Sequence, residues 1–424
     1  MSEHAATKLK PADDPAYRLP ACLGKFQLPF LGGGLALLLV GLFLAFSVQS
    51  NKDVSMPRFG FSAYLTAYLY TLSICLGCLF FVLIQHLVRA GWSVVVRRIA
   101  ELMMIMIWPM AVLFLPILFA AFQENALFAW TNPDYIAEFV PERAWENKKL
   151  FLNPTFFAIR AVVYFTIWCS LSLYFWRGSV LQDETGERAA TDRMQLWSGP
   201  AVMLFALSVS FAAFDWGMSL APMWFSTMFG VYFFAGSILA AHCFICVSAF
   251  LLQRCGAAKD EITVEHYHDL GKYMFGFIVF WTYIGFSQYL LIWYGAIPEE
   301  AEWFYTRQLG SFAGISIALV LLHWLLPFFG TMARTVRRMP AVMALWAVYI
   351  LIMHFVDLFW VVMPEARVGH HAHVGGVLGV IACVLCAVGL LGVVLGLVLR
   401  MAASSHVVAV RDPRLRESIA FENF

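Results

Sequence analysis

Charge is scarce in this sequence. Asp, Glu, Lys and Arg together make up 13% of the 424 residues, about half their share in ordinary soluble domains. With 61% hydrophobic residues and a mean hydropathy of +0.75, a single water-soluble core is excluded and hydrocarbon-facing helices are expected. A net charge of +1 leaves no basic field, so no nucleic-acid partner is expected. The opening residues "MSEHAATKLKPADDPAYRLP" contain no apolar run followed by small residues. They read as a polar cytoplasmic tail, with no secretory signal. Walker A, GxSxG and HExxH patterns are missing, which removes the commonest signatures of phosphate, acyl-transfer and zinc-hydrolase chemistry. No Gly/Ser-rich linker separates domains. Six of the nine cysteines form CxxC pairs (Cys75/Cys78, Cys243/Cys246, Cys383/Cys386), none followed by histidine, so the c-haem attachment pattern is absent. All three pairs sit in apolar runs, where buried packing thiols are favoured over a metal or cluster site.

What the chain does have is length in its apolar runs. A membrane-spanning helix needs about 20 mainly apolar residues. Ten segments meet that measure, at approximately 27–48, 59–88, 99–122, 154–176, 197–214, 225–252, 271–294, 310–330, 340–362 and 374–400. The long connection 123–153 is expected to form in part a short surface helix. Arginine and lysine cluster in alternate connections: Arg89, Arg97 and Arg98; Arg177, Arg188 and Arg193; Arg254, Lys259 and Lys272; Arg334, Arg337 and Arg338. The positive-inside rule then places these connections and both termini in the cytoplasm.

Helices five and nine end in related text, "SFAAFDWGMSLAP" and "LIMHFVDLFWVVMPE". Each carries an aspartate inside an apolar run, then aromatic residues and proline. The expected fold is therefore an all-α polytopic membrane protein with two four-helix bundles, helices 2–5 and 6–9, from one duplicated unit, plus peripheral helices 1 and 10. The chain divides into a tail (1–26), peripheral helix 1 (27–58), a first bundle (59–224), a second bundle (225–364), peripheral helix 10 (365–402) and a second tail (403–424).

Ionisable residues within a bilayer are rare and usually face the protein interior. Near the outer face are Asp215, Asp357, Arg160 and His354, the last one turn before Asp357. Deeper, or towards the inner face, are His242, His323, His86, Glu101, Asp269 and Lys272. Each has a plainer reading as well. Arg160 can snorkel to headgroups, Glu101 can pair with Arg97 and Arg98, and Asp269 can cap the seventh helix. Either aspartate can cap a helix end, and His242 or His323 alone can be a core histidine. Recurrence of the aspartate at the same depth in both halves favours function. A quinol losing two electrons must also lose two protons, which a carboxylate at headgroup depth can accept. Trp216 and Trp224 offer flat apolar surface against which a quinone ring can pack. Asp215, Trp216, Trp224 and Arg160 are thus the candidate quinone-contact residues. Asp357, His354, His323, His242, Glu101, Asp269, Lys272 and His86 are the candidate proton-transfer residues. The triplet His370, His371 and His373 reads as a solvated loop rather than a metal site.

The segments "CLGCLFFVLIQHLVRAGWSVVVRRIAE", "FDWGMSLAPMWFSTMFGVYFFAGS", "HDLGKYMFGFIVFWTYIGFSQYLLIWYG", "FVDLFWVVMPE" and "VRDPRLRESIAFENF" resemble the NrfD/PsrC-like membrane subunits of alternative complex III, the ActF type most closely. The likeness runs from the second helix to the C-terminus. It implies a multi-pass subunit of a bacterial inner-membrane quinol:cytochrome c oxidoreductase. Such a subunit contributes quinone contact or proton transfer and is not catalytic alone. It would hold no covalent cofactor, would contact quinone or menaquinol, and would leave haem and iron–sulfur centres to partner subunits: an iron–sulfur subunit, a sister NrfD-like subunit and c-haem subunits. Asp215 and Asp357 match the family's paired outer aspartates. The sister ActC-type subunit carries a histidine where this chain has Val209, a departure that favours proton conduction or a structural partner role over direct quinol oxidation. Two other readings compete: a secondary transporter with duplicated bundles, and a b-haem anchor using two of His86, His242, His323 and His354.

Overall fold

Among the described residues, ten helices are long and apolar enough to cross a membrane. They are α1 (Gln27–Val48), α2 (Phe59–Leu87), α3 (Val94–Ala121), α4 (Pro154–Thr185), α5 (Arg188–Leu220), α6 (Phe229–Arg254), α7 (Val264–Gly295), α8 (Gly310–Met332), α9 (Pro340–Glu365) and α10 (Gly376–Ala403). The structure is a computed structural model that describes residues 10–48, 58–366 and 376–423. Lys8, Lys52, Arg367 and the triplet His370, His371 and His373 lie outside the described residues. Among the described residues there is no strand. The number and order of spans agree with the sequence expectation, and the chain is a multi-pass helical membrane protein.

Several helices outrun their apolar segments. α5 begins at Arg188 rather than 197 and α7 at Val264 rather than 271. Hydropathy detects only the part that meets hydrocarbon, whereas polar first turns continue the same hydrogen-bond ladder beyond it. At the start of α7 the cap is Thr263, whose backbone N–H donates to His266 Nδ1 at 2.9 Å in a reciprocal capping box. Asp269, the residue expected to cap this helix, lies in the second turn and pairs with Lys272 Nζ at 2.6 Å.

Two spans are irregular. α3 consists of Val94–Met104, Ile107–Leu113 and Leu115–Ala121. Pro109 and Pro116 cannot donate to the preceding turn, which interrupts the ladder. The carbonyls freed there are taken up by α2, with Tyr64 Oη donating to Leu113 O (2.6 Å) and Tyr68 Oη to Met110 O (2.8 Å). In α8 the stretch Leu319–Leu325 widens into a π-helix just before Pro327. Pro327 offers no N–H to the carbonyl four residues back, and Tyr349 Oη of α9 donates to Leu322 O at 2.8 Å.

α2 and α6 are the most enclosed helices, with 89% and 78% of their span windows buried, and they cross one another. α2 also contacts α3, α5, α9 and α10, while α6 contacts α5, α7 and α9. α1 packs along α10 through small residues: a Cβ on Gly389 would stand 2.3 Å from Leu38 N. Close backbone approach of this kind is how helices associate where lipid removes the hydrophobic driving force.

Both tails meet at one end of the helices, the terminal face. Val407 N–H donates to Tyr17 O (2.9 Å), Ala258 N–H donates to Ala16 O (3.0 Å), and Cys22 lies beside Cys255 with their Cα atoms 6.2 Å apart. Burial, reinforced by Glu261, pushes the Tyr17 phenol up to about 12. At the opposite face the connection 123–153 folds as the helices Pro133–Phe139 and Glu142–Lys148. Lys148 Nζ donates to Pro222 O at 2.6 Å, tying this connection to the segment after α5. Burial holds that ammonium below its ordinary value.

Candidate functional site

Asp215 sits in the last turns of α5 with no solvent exposure. An unpaired carboxylate at such a place costs several kcal/mol, so the chain must supply donors. α4 does so. Arg160 forms a fork on it, Nε to Oδ2 at 2.8 Å and Nη2 to Oδ1 at 2.7 Å, and Tyr164 Oη donates to Oδ2 at 2.7 Å. The guanidinium lies over the rings of Phe151 (3.8 Å) and Phe156 (4.3 Å). Arg160 thus turns inward to the aspartate. Trp216 packs among Phe114, Tyr164, Phe165 and Trp168. Trp224 stacks flat on Trp303 at 4.1 Å, away from the Asp215 ion pair. Both Asp215 oxygens are engaged, and their charge is fixed by a bidentate cation.

Asp357, near the end of α9 and 2% exposed, has a different shell. Tyr232 of α6 donates its hydroxyl to Oδ1, and the indole N–H of Trp281 from α7 donates to Oδ2 at 3.3 Å. Among the described residues no cation pairs with it. One turn earlier, His354 Nε2 lies 2.8 Å from Ser73 Oγ of α2. Ser73 gives its only hydrogen to Tyr70 O at 2.8 Å. In the tautomer this arrangement favours, His354 Nε2 donates to Ser73 and Nδ1 carries the open lone pair. Nδ1 has no hydrogen-bond partner and faces Gly236, where a Cβ would stand 3.2 Å away. Asp357, His354, Tyr232, Gly236 and Trp216 border a narrow cavity of about 10 Å³, room for one water. On the far side of Trp281, His323 lies on the π-helical turn with its ring 4.2 Å from the indole. Both ring nitrogens of His323 are buried without partners. π-turns recur where a helix must present a functional side chain.

The remaining candidates lie closer to the terminal face. His242 Nδ1 donates to Ile238 O (2.8 Å), and its Nε2 is unpartnered. Its ring stacks on Tyr273 (4.9 Å) and Phe277 (5.7 Å). Those two rings, with Asp269 and Lys272, border a surface groove of about 540 Å³. His86 is buried against Phe175. Glu101 accepts a hydrogen bond from Arg97 Nε and forms an ion pair with Arg98, both at 3.0 Å. Arg97 also reaches Asp412 at 2.7 Å and Arg98 reaches Asp183 at 2.6 Å, so Glu101 belongs to a closed ion network that pins the second tail to α3 and α4. The structure brings Asp357, His354 and His323 together, and Asp215 with Arg160. His242 stands apart, and Glu101, His86, Asp269 and Lys272 form separate contacts nearer the terminal face.

The sequence did not point to Tyr164, Tyr232, Trp281 or Ser73. Tyr, Trp and Phe make up 16% of the chain, and serines are common in these helices, so none of the four stands out locally. Arg307, in the connection before α8, is buried. Its guanidinium donates to Trp360 O (3.2 Å) and Val361 O (2.8 Å), pairs with Glu365 (3.0 Å) and lies 3.5 Å from the Trp303 ring. It caps the end of α9 just past Asp357. No known family model matches the chain, and no curated protein sequence matches it.

Proposed function

We propose that the chain is an integral membrane subunit of a quinol:cytochrome c oxidoreductase of the alternative complex III type, which moves protons through Asp357 and holds no redox cofactor of its own. On this reading α2–α5 and α6–α9 are the two bundles, the terminal face is cytoplasmic and the membrane is the bacterial plasma membrane. The alternating arginine and lysine clusters and the motif resemblance support that placement. Iron–sulfur, c-haem and sister NrfD-like subunits would be its partners.

One observation carries the assignment. Asp357 is a buried carboxylate held only by neutral donors, one turn from a histidine with an open ring nitrogen, at a cavity of single-water size. Gaining or losing a proton there breaks no ion pair. At Asp215 the same event would leave Arg160 uncompensated. Asp357 and His354 therefore exchange the proton, His323 is a second acceptor behind Trp281, and the Asp215–Arg160 pair is a fixed charge. The groove at Asp269, Lys272 and Tyr273, backed by His242, offers the approach from the terminal face. Quinone contact at Asp215, Trp216, Trp224 and Arg160 is the weaker half of the reading, because the carboxylate is already enclosed.

Asp357→Asn keeps the shape and removes the exchangeable proton. In the assembled complex it is expected to lower quinol:cytochrome c turnover, or the proton release coupled to it, about a hundredfold, the lower end of the range for losing a positioned acid or base. Wild-type values for both would remove Asp357 from the proton path.

A further inference from the structure

At the terminal face α4 and α5 run close together where Gly178 meets Met194; a Cβ there would stand 3.0 Å from Met194 Sδ. Beside this approach lies a groove of about 430 Å³, bordered by Leu173, Tyr174, Arg177, Leu181, Arg193 and Met194 among others. None of its lining residues is acidic. The Arg177 side chain makes no hydrogen bond or ion pair with any described residue, and the Arg193 side chain makes one, from Nε to Ala189 O at 3.2 Å. On the same face Arg97, Arg98, Arg338 and Arg414 each pair with a carboxylate. Setting topology requires positive charge on a face; it does not require two uncompensated guanidinium groups beside one apolar channel. One turn from Arg193 stands Trp197 (57% exposed), followed by exposed Met203, Leu204 and Leu207. That is an interfacial aromatic above a hydrocarbon-facing stripe, and it puts Arg193 at headgroup depth.

We propose that this groove binds an anionic phospholipid of the adjoining leaflet. The lipid phosphate sits between Arg177 and Arg193, whose planar donors match its oxygens; an acyl chain runs inward along Leu173, and Leu181 flanks the headgroup on the terminal side. A zwitterionic lipid would bring its cation into a groove with no acid to receive it. Free phosphate would leave the apolar channel unfilled.

Native mass spectrometry of the purified full chain in mild detergent tests this. Phosphatidylglycerol is expected to bind more tightly than phosphatidylcholine, with Arg177→Gln and Arg193→Gln each weakening it about fivefold, the effect of one interfacial cation. Arg143→Gln, at the opposite face, is the control and is expected to change nothing. A photoactivatable phosphatidylglycerol should label the wild-type peptide around Tyr174 and Leu181, which guards against a variant that fails to fold. Unchanged binding in both arginine variants, equal binding of phosphatidylcholine, displacement by millimolar inorganic phosphate, an equal loss in Arg143→Gln, or labelling elsewhere alone would each overturn the proposal.

Discussion

Arg160→Met is expected to lower the resistance of the purified chain to unfolding by about 3–5 kcal/mol, the range found when one partner of a buried ion pair is removed. The carboxylate left behind has no solvent exposure and would keep only the hydroxyl of Tyr164, 2.7 Å away. The penalty is that of an uncompensated buried charge, so it should vanish when the charge does. The double variant Arg160→Met/Asp215→Asn is expected to recover most of the loss, because a neutral amide beside a thioether needs no counter-ion. Asp357→Asn supplies the contrast. Its donors are a phenol and an indole, and an isosteric amide oxygen can still accept one of them, so its stability should fall by about 1 kcal/mol or less. Unfolding of the three variants in a dodecyl sulfate titration reads all these differences. A single Arg160→Met variant as stable as wild type, or a double variant no better than the single, would show that the ion pair does not hold α4 to α5.

The two aspartates could be picked out from the sequence because a carboxylate inside an apolar run has no cheap local explanation. Their different partners could not. Arg160 and Asp215 are 55 positions apart, and Tyr232 and Asp357 are 125 apart. Such pairs exist only once helices are packed, and nothing in helical periodicity selects them. The ten spans were readable because each needs only its own composition. Their polar first turns were not, since a helix such as α7 is extended by the Thr263–His266 cap rather than by hydrophobicity. Pro109 and Pro116 were visible as residues, but the break in α3 depends on Tyr64 and Tyr68 reaching across from α2. His323 looked like any core histidine; its place on a π-turn beside Trp281 follows from Pro327 and Tyr349 together. The aromatic composition that hid Tyr232 and Trp281 is also what lets this chain satisfy a buried acid without a cation.

Gly77→Val is expected to abolish recovery of a monodisperse chain, and Gly77→Ala to destabilise it by about 1–3 kcal/mol, the usual range for overpacking. A Cβ on Gly77 would stand 2.0 Å from Ser237 O and 2.8 Å from Ala241 Cβ. The first obstacle is backbone of α6, which no rotamer change can clear. Neither helix has room to retreat, since α2 and α6 are the two most buried spans. Gly276→Val on α7 is the matched control: nothing lies within 4 Å of its added Cβ, and valine is no worse than glycine within a helix. The consequence reaches the site as well. Ser73 of α2 accepts from His354, and Tyr232 of α6 donates to Asp357, so the crossing at Gly77 fixes both partners relative to α9. Size-exclusion recovery and melting in detergent measure the stability effect. On the proposed function, any Gly77→Ala protein that survives should lose proton-coupled turnover beyond its loss of folded chain, because α6 can admit the methyl only by carrying Tyr232 away from Asp357. Wild-type recovery of Gly77→Val would mean that α2 and α6 do not meet at this glycine, and the placement of Ser73 and Tyr232 at the site would fall with it.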